Sequence, residues 1–223
     1  MSPVLLVLIC AVSSYLLGSF NPAIELSRLI YHQDLRTLGS KNPGFTNFKR
    51  VFGNKWAWAV FCLDFAKSAV LCLIFCNLFE NVLGYYNLGA AFTGFFVMIG
   101  HMYPVWYGFR GGKGVLVCAA ALWFIDWRSA LIALAVLVIL LAVTRFMSLS
   151  VMVALATCPV TFAMFGVEHW GILALVTAEV AMIVWRHRGN IRRLAAGTES
   201  RFYLTKPPET KAAPAPPPEN RSE

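Results

Sequence analysis

The chain has 223 residues, of which 58% are hydrophobic and 13% charged, with a formal net charge of +8. Soluble domains carry about 45–50% apolar and about 25% charged residues, so this composition excludes an ordinary soluble fold and points to an integral membrane protein. In that setting a cation excess reports cytoplasmic loops and anionic lipid, and nucleic acid is not expected as a partner.

The amino-terminal run "MSPVLLVLICAVSSYLLGSF" has no Lys or Arg before Arg28. A secretory signal needs a basic region ahead of its apolar core, so this run reads as a first transmembrane helix. A span needs roughly 20 mostly apolar residues. Apolar runs predict spans at 3–27, 56–78, 88–106, 114–126, 129–145, 148–165 and 169–186. The run 114–126, "GVLVCAAALWFID", is short for a span, and Asp126 and Arg128 after it mark a turn at an interface. With seven spans and the amino terminus outside, 17 of the 19 Lys and Arg lie on the cytoplasmic side. That satisfies the positive-inside rule; with 114–126 not crossing, the two halves conflict. The expected fold class is therefore all-α, polytopic, with about seven transmembrane helices and a cytoplasmic carboxyl terminus. Residues 1–205 form the membrane domain. Residues 206–223, "KPPETKAAPAPPPENRSE", are expected to be a disordered cytoplasmic tail rich in Pro and Ala.

Three polar islands fall on one side in this topology. "LGSKNPGFTNFKR", Leu38 to Arg50, offers the hydroxyls of Ser40 and Thr46, the amides of Asn42 and Asn47, and the cations Lys41, Lys49 and Arg50. Gly39 and Gly44 allow backbone amides close to a ligand. A donor-rich set with little acid suits a phosphate or carboxylate, although an ordinary basic loop would also obey the charge rule. "GHMYPVWYGFRGGKG", Gly100 to Gly114, resembles a phosphate cradle in its chemistry. It is not a Walker loop, since Gly114 stands where Ser or Thr would hold magnesium. Lys113 precedes the short fourth helix, whose amides and dipole also favour an anion. His101 is read either as structural or as part of the site. "WRHRGNIRRLAAGTESRF", Trp185 to Phe202, places His187 and Asn190 three apart on one helix face. Its arginines 188, 192 and 193 are assigned mainly to lipid head groups. Asp64 and Lys67 can pair within the second span, and Glu179 lies inside the seventh. Such groups are either functional or packing glue. The six cysteines are read as small buried hydrophobes, and no metal or cofactor is required.

These three strings resemble the PlsY-type acyl-phosphate-dependent glycerol-3-phosphate acyltransferases. "GSKNPGFTNFKR" is similar to that family's Gly-Ser-Gly-Asn-x-Gly-Ala-Thr-Asn-x-x-Arg. "GHMYPVWYGFRGGKG" is similar to its Gly-His-x-(Phe/Tyr)-Pro…Gly-Gly-Lys-Gly, and "HRGNIRRLAAGTESRF" to its His-x-x-Asn-Ile-x-Arg-Leu…Gly-x-Glu ending. The resemblance covers roughly residues 10–204. Lys41 stands where the family has a small Gly, Phe45 where it has Ala, and a Thr is missing beyond Lys113.

The resemblance implies transfer of a fatty acyl group from acyl phosphate to the 1-hydroxyl of glycerol 3-phosphate, in a bacterial inner membrane; whether the chain acts as a monomer is left open by the sequence. It implies Lys113, His187, Arg50 and Ser40 as catalytic groups. It implies Asn42, Gly44, Thr46, Asn47, His101, Gly111, Gly112, Gly114, Ser148 and Asn190 as substrate contacts. No Ser or Cys has an evident His and acid partner, so direct attack without an acyl-enzyme is expected. The alternatives are an organic-anion or phosphate transporter, a diverged acyltransferase with another donor, and a lipid-binding scaffold.

Overall fold

Apolar runs long enough to cross a bilayer dictate the architecture, and the structure, a computed structural model, describes residues 1–204 of it. The tail 206–223 lies outside the described residues. Ten α-helices follow in order: α1 (Pro3–Gly18), α2 (Pro22–Tyr31), α3 (Phe45–Phe52), α4 (Ala57–Leu83), α5 (Tyr86–Met102), α6 (Val115–Ile125), α7 (Trp127–Thr144), α8 (Met147–Phe165), α9 (Trp170–Arg186) and α10 (Arg188–Ala195). Five segments are long and apolar enough to span: Pro3–Tyr31, Ala57–Leu83, Tyr86–Tyr107, Trp127–Thr144 and Met147–Phe165. The helices α9 and α10, bent by 55° at their junction, pass the same test only when taken together. The helix α6 has 11 residues, about 16 Å of rise, which is half a bilayer core. The sequence reading expected about seven spans; by length and composition the described residues offer five, or six with the bent pair, and α6 is a shorter apolar helix.

The first span differs from expectation. It breaks at Ser19–Asn21, where Pro22 removes a backbone donor and Asn21 caps the new helix by accepting from Ile24 N at 3.1 Å. The break leaves the Gly18 and Phe20 carbonyls without a helical partner. Lys67 of α4 answers them, donating to Gly18 O at 3.1 Å and Phe20 O at 2.7 Å. Its charge is matched by Asp64 at 2.9 Å, and His101 Nδ1 of α5 lies 3.2 Å from the ammonium. The Asp64–Lys67 pair therefore acts as glue that joins the break to α4 and α5.

The helix α5 is the centre of the bundle, contacting α1, α4, α6 and α9. Its small residues allow this. A Cβ on Gly18 would come within 2.8 Å of Val97 Cα, and one on Gly100 within 2.8 Å of Ser19 N. Small residues at helix crossings let backbones approach where lipid supplies no hydrophobic drive. The core behind them includes Phe79, Met98, Phe162, Ile172 and Ile183. Cys10, Cys72, Cys76, Cys118 and Cys158 are buried as expected, while Cys62 is exposed. Glu179 is fully buried between α9 and α6, accepting from Cys118 Sγ at 3.4 Å.

Candidate functional site

The three islands meet at one end of the bundle. The first is half helix rather than loop: α3 begins immediately after Gly44, so Phe45 to Arg50 are helical. Its turn is shaped by Asn47, which is buried. Asn47 Oδ1 accepts from Ser40 N at 2.8 Å and from Arg50 Nη1 at 3.4 Å, and Nδ2 donates to Leu38 O at 3.0 Å. Asn47 therefore positions Ser40 and Arg50, with its amide spent inside the loop. The hydroxyls of Ser40 and Thr46 and the side chain of Asn42 have no hydrogen-bond partner among the described residues. Lys41 takes φ +60°, a left-handed backbone that costs a side-chain-bearing residue roughly 1–2 kcal/mol.

The glycine loop is held from two sides. Arg186, at the end of α9, donates to Gly111 O at 2.8 Å and to Gly112 O at 2.7 and 3.2 Å. On the other side Arg36 reaches Tyr107 O at 2.8 Å and is itself fixed by Asp34 at 2.8 Å. With its carbonyls pinned outward, the loop leads into α6, whose first amides have no intrahelical partner. Gly112 is a steric requirement. Its missing Cβ would overlap the His101 ring and stand 3.0 Å from Pro43 O of the first island. Gly114 turns with φ +81° against Met98 and Met102. His101 is buried beneath this loop; its carbonyl accepts from Gly112 N at 3.0 Å. It supports the cradle and pairs with the Asp64–Lys67 group, so the structural alternative for this residue fits the geometry.

Lys113 points across to Asn190, donating from Nζ to Oδ1. Asn190 Nδ2 then donates to Glu199 Oε1 at 2.6 Å, which also accepts from Ser148 Oγ at 2.7 Å. Arg193 Nε closes the group on Glu199 Oε2 at 2.7 Å. Burial pushes the Lys113 ammonium down to about 8; Glu199 opposes this, while Arg193, Arg186 and Arg50 reinforce it. Burial and then the charge of Lys113 lower His187 to about 4. His187 Nδ1 lies 2.8 Å from Ile183 O; a carbonyl only accepts, so Nδ1 carries the proton and Nε2 the free lone pair. Burial alone would raise Glu199, but hydrogen bonds from Ser148, Asn190 and Arg193 hold it below its ordinary value. The end of the bundle thus gathers two cationic loops, a neutral imidazole and the Glu199 carboxylate.

A family model described as "Glycerol-3-phosphate acyltransferase" matches residues 8–197. The chain belongs to the glycerol-3-phosphate acyltransferase family. A family member from Pseudomonas paraeruginosa is 38% identical over 197 residues, covering 88% of this chain and 100% of that one. Another, from Agrobacterium fabrum, is 39% identical over 204 residues, covering 90% and 94%. The crystal structure of PlsY, an integral membrane glycerol 3-phosphate acyltransferase, superposes in its glycerol 3-phosphate form with TM-score 0.80 at 34% identity, covering 88% of this chain and 96% of that one. Its lysophosphatidic acid form gives 0.77 at 31% identity.

In this acyltransferase the structure brings Ser40, Arg50, Lys113, Ser148, His187 and Asn190 to one end of the bundle, through one shared set of contacts and charges. Three residues given no site role by the sequence reading join them. Glu199 is the hub for Ser148, Asn190 and Arg193. Arg186 holds the glycine carbonyls. Arg193, expected to meet lipid head groups, instead pairs with Glu199. The signal for Glu199 was available: it is the one acid in a strongly basic island, and an acid there needs partners.

Proposed function

We propose that this family member transfers a fatty acyl group from acyl phosphate to the 1-hydroxyl of glycerol 3-phosphate, giving lysophosphatidic acid and inorganic phosphate. The observation that carries the reading is the link from Lys113 through Asn190 to Glu199 and Ser148. It sets the glycine loop beside the third island, so that two phosphorylated substrates can face each other. The product form of the PlsY crystal structure supports lysophosphatidic acid as the product.

The glycerol oxygen attacks the acyl carbonyl, a new C–O ester bond forms, and the bond from the carbonyl carbon to the phosphate oxygen breaks. Lys113 and Arg50 stabilise the charge that grows on the departing phosphate. Holding both substrates in contact supplies much of the acceleration. With its value near 4, His187 is a weak base at neutral pH. It suits the role of accepting a hydrogen bond at Nε2 from the attacking hydroxyl. The proton ends on an oxygen of the departing phosphate. No protein nucleophile is needed. Ser40, Asn42 and Thr46 supply donors to one phosphoryl group, and Lys113 and the amide of Gly114 supply them to the other; Gly44, Gly111 and Gly112, whose amides are taken by Asn42 O, Met102 O and His101 O, shape the two loops.

The protein sits in a bacterial cytoplasmic membrane as a monomer with seven crossings, the amino terminus outside and the polar islands inside. A transporter would carry its polar groups near the midplane, whereas these groups cluster at one end. Labelled palmitoyl phosphate supplied without acceptor tests direct transfer. The expected result is no label on the protein and no phosphate released until glycerol 3-phosphate is added. A covalent acyl-enzyme or a phosphate burst would contradict it.

A further inference from the structure

A strip of aromatic rings starts inside the site and runs into the membrane. Phe45, next to Thr46, packs on Trp58 with centroids 5.2 Å apart and on Phe61 at 5.6 Å. Phe61 continues to Phe65 at 6.4 Å with the rings parallel within 8°. At the head, Phe202 lies 6.4 Å from Phe45, and Lys49 Nζ stands 4.5 Å from the Phe202 ring centroid. Trp58, Phe61 and Phe65 share one face of α4, three and four residues apart. Trp58 is 47% exposed, and Phe45, Phe61 and Phe65 are half-buried.

An interfacial aromatic belt lies at one depth, that of the head groups. This strip instead follows the helix axis from Trp58 to Phe65, about 10 Å. Its upper end adjoins cations and hydroxyls, and its lower end is apolar. That is the shape of an amphiphile with an anionic head and a long tail.

We infer that Phe45, Trp58, Phe61 and Phe65 form the track for the donor's acyl chain, with Phe45 against its first carbons and Phe65 against carbons about eight methylenes further on. The inference rests on acyl phosphate as donor. It makes α4 a ruler. Contacts at Phe45 serve every chain, while contacts at Phe65 serve only chains that reach it.

The test is donor kinetics with eight-carbon and sixteen-carbon acyl phosphates on purified protein. Phe45→Ala should raise KM for both donors by about tenfold. Phe65→Ala should raise KM about tenfold for the sixteen-carbon donor and leave the eight-carbon donor within about twofold. KM for glycerol 3-phosphate should not move in either. Ile139→Ala, at an exposed position on α7, should change nothing. Equal effects of Phe65→Ala on both donors, or none on either, would overturn the track and leave the strip facing bilayer lipid alone. Phe61→Ala repeats the length test if Phe65→Ala does not fold. A wild-type protein inactive with every acyl phosphate would instead refute the proposed donor, a separable result.

Discussion

If Lys113 holds the phosphoryl group as proposed, it sets the alkaline limit of the enzyme. Burial holds its ammonium near 8, so about 90% is charged at pH 7 and about 10% at pH 9. In the pH dependence of kcat/KM, which reports the free enzyme, the rate constant for glycerol 3-phosphate should fall about tenfold per pH unit above 8. The second ionisation of a phosphate monoester, about 6, and that of His187, about 4, lie well below this limb. Lys113→Arg keeps its charge through this range, so its profile should stay flat to about pH 10 whatever its absolute rate. The assay is initial rate at saturating acyl phosphate from pH 6 to 10, corrected for donor hydrolysis. A limb that is identical in wild type and Lys113→Arg would refute the reasoning. The displacement also bears on stability. The native state binds fewer protons than the unfolded chain between about pH 8 and about 10.4, so folding becomes more favourable as pH rises through that window.

Three further outcomes follow from named contacts. Arg186→Ala removes the guanidinium from two loop carbonyls; hydrogen bonds to charged groups contribute about 1.5–3 kcal/mol. KM for the phosphorylated substrates should rise about tenfold or more, with Arg186→Lys intermediate. Glu199→Gln keeps the shape of the hub but removes the charge facing Arg193. Unfolding in detergent should come about 1–3 kcal/mol sooner, and an unchanged midpoint would deny the hub role. Lys41→Gly relieves the left-handed backbone at φ +60° and should stabilise by about 0.5–1 kcal/mol. A drop in melting temperature would show that the Lys41 side chain has a partner of its own.

Much of the fold is written in runs of apolar residues, because a bilayer leaves a chain few options. The helices α7, α8 and α9 fall within two residues of the expected spans. The break at Ser19–Asn21 was visible as Asn-Pro, yet the apolar residues around it hid it; the lysine that makes it tolerable is 46 residues further on. The extension of α4 to Leu83 was obscured by Asn77, Glu80 and Asn81, polar residues that a helix end outside the core accepts. The helix at Phe45–Phe52 was masked by the glycines and proline before it, which shape its entry rather than forbid it. Within the candidate site, Lys113, His187 and Asn190 were singled out by residue type, and the structure brings them together. The contacts that assemble them are long-range, as Arg186 to Gly111 shows, and pattern along a chain does not encode distance across it. His101 shows how little a motif says about contacts: the structure sets its ring beside Asp64 and Lys67 and its carbonyl against Gly112 N.

The measurement that tests the account most directly is product formation by the purified protein in micelles with glycerol 3-phosphate and either palmitoyl phosphate or palmitoyl-CoA. Lysophosphatidic acid from palmitoyl phosphate alone, lost in Lys113→Ala while the variant remains folded, is the predicted result. Product from palmitoyl-CoA alone, or activity undiminished in Lys113→Ala, would contradict it.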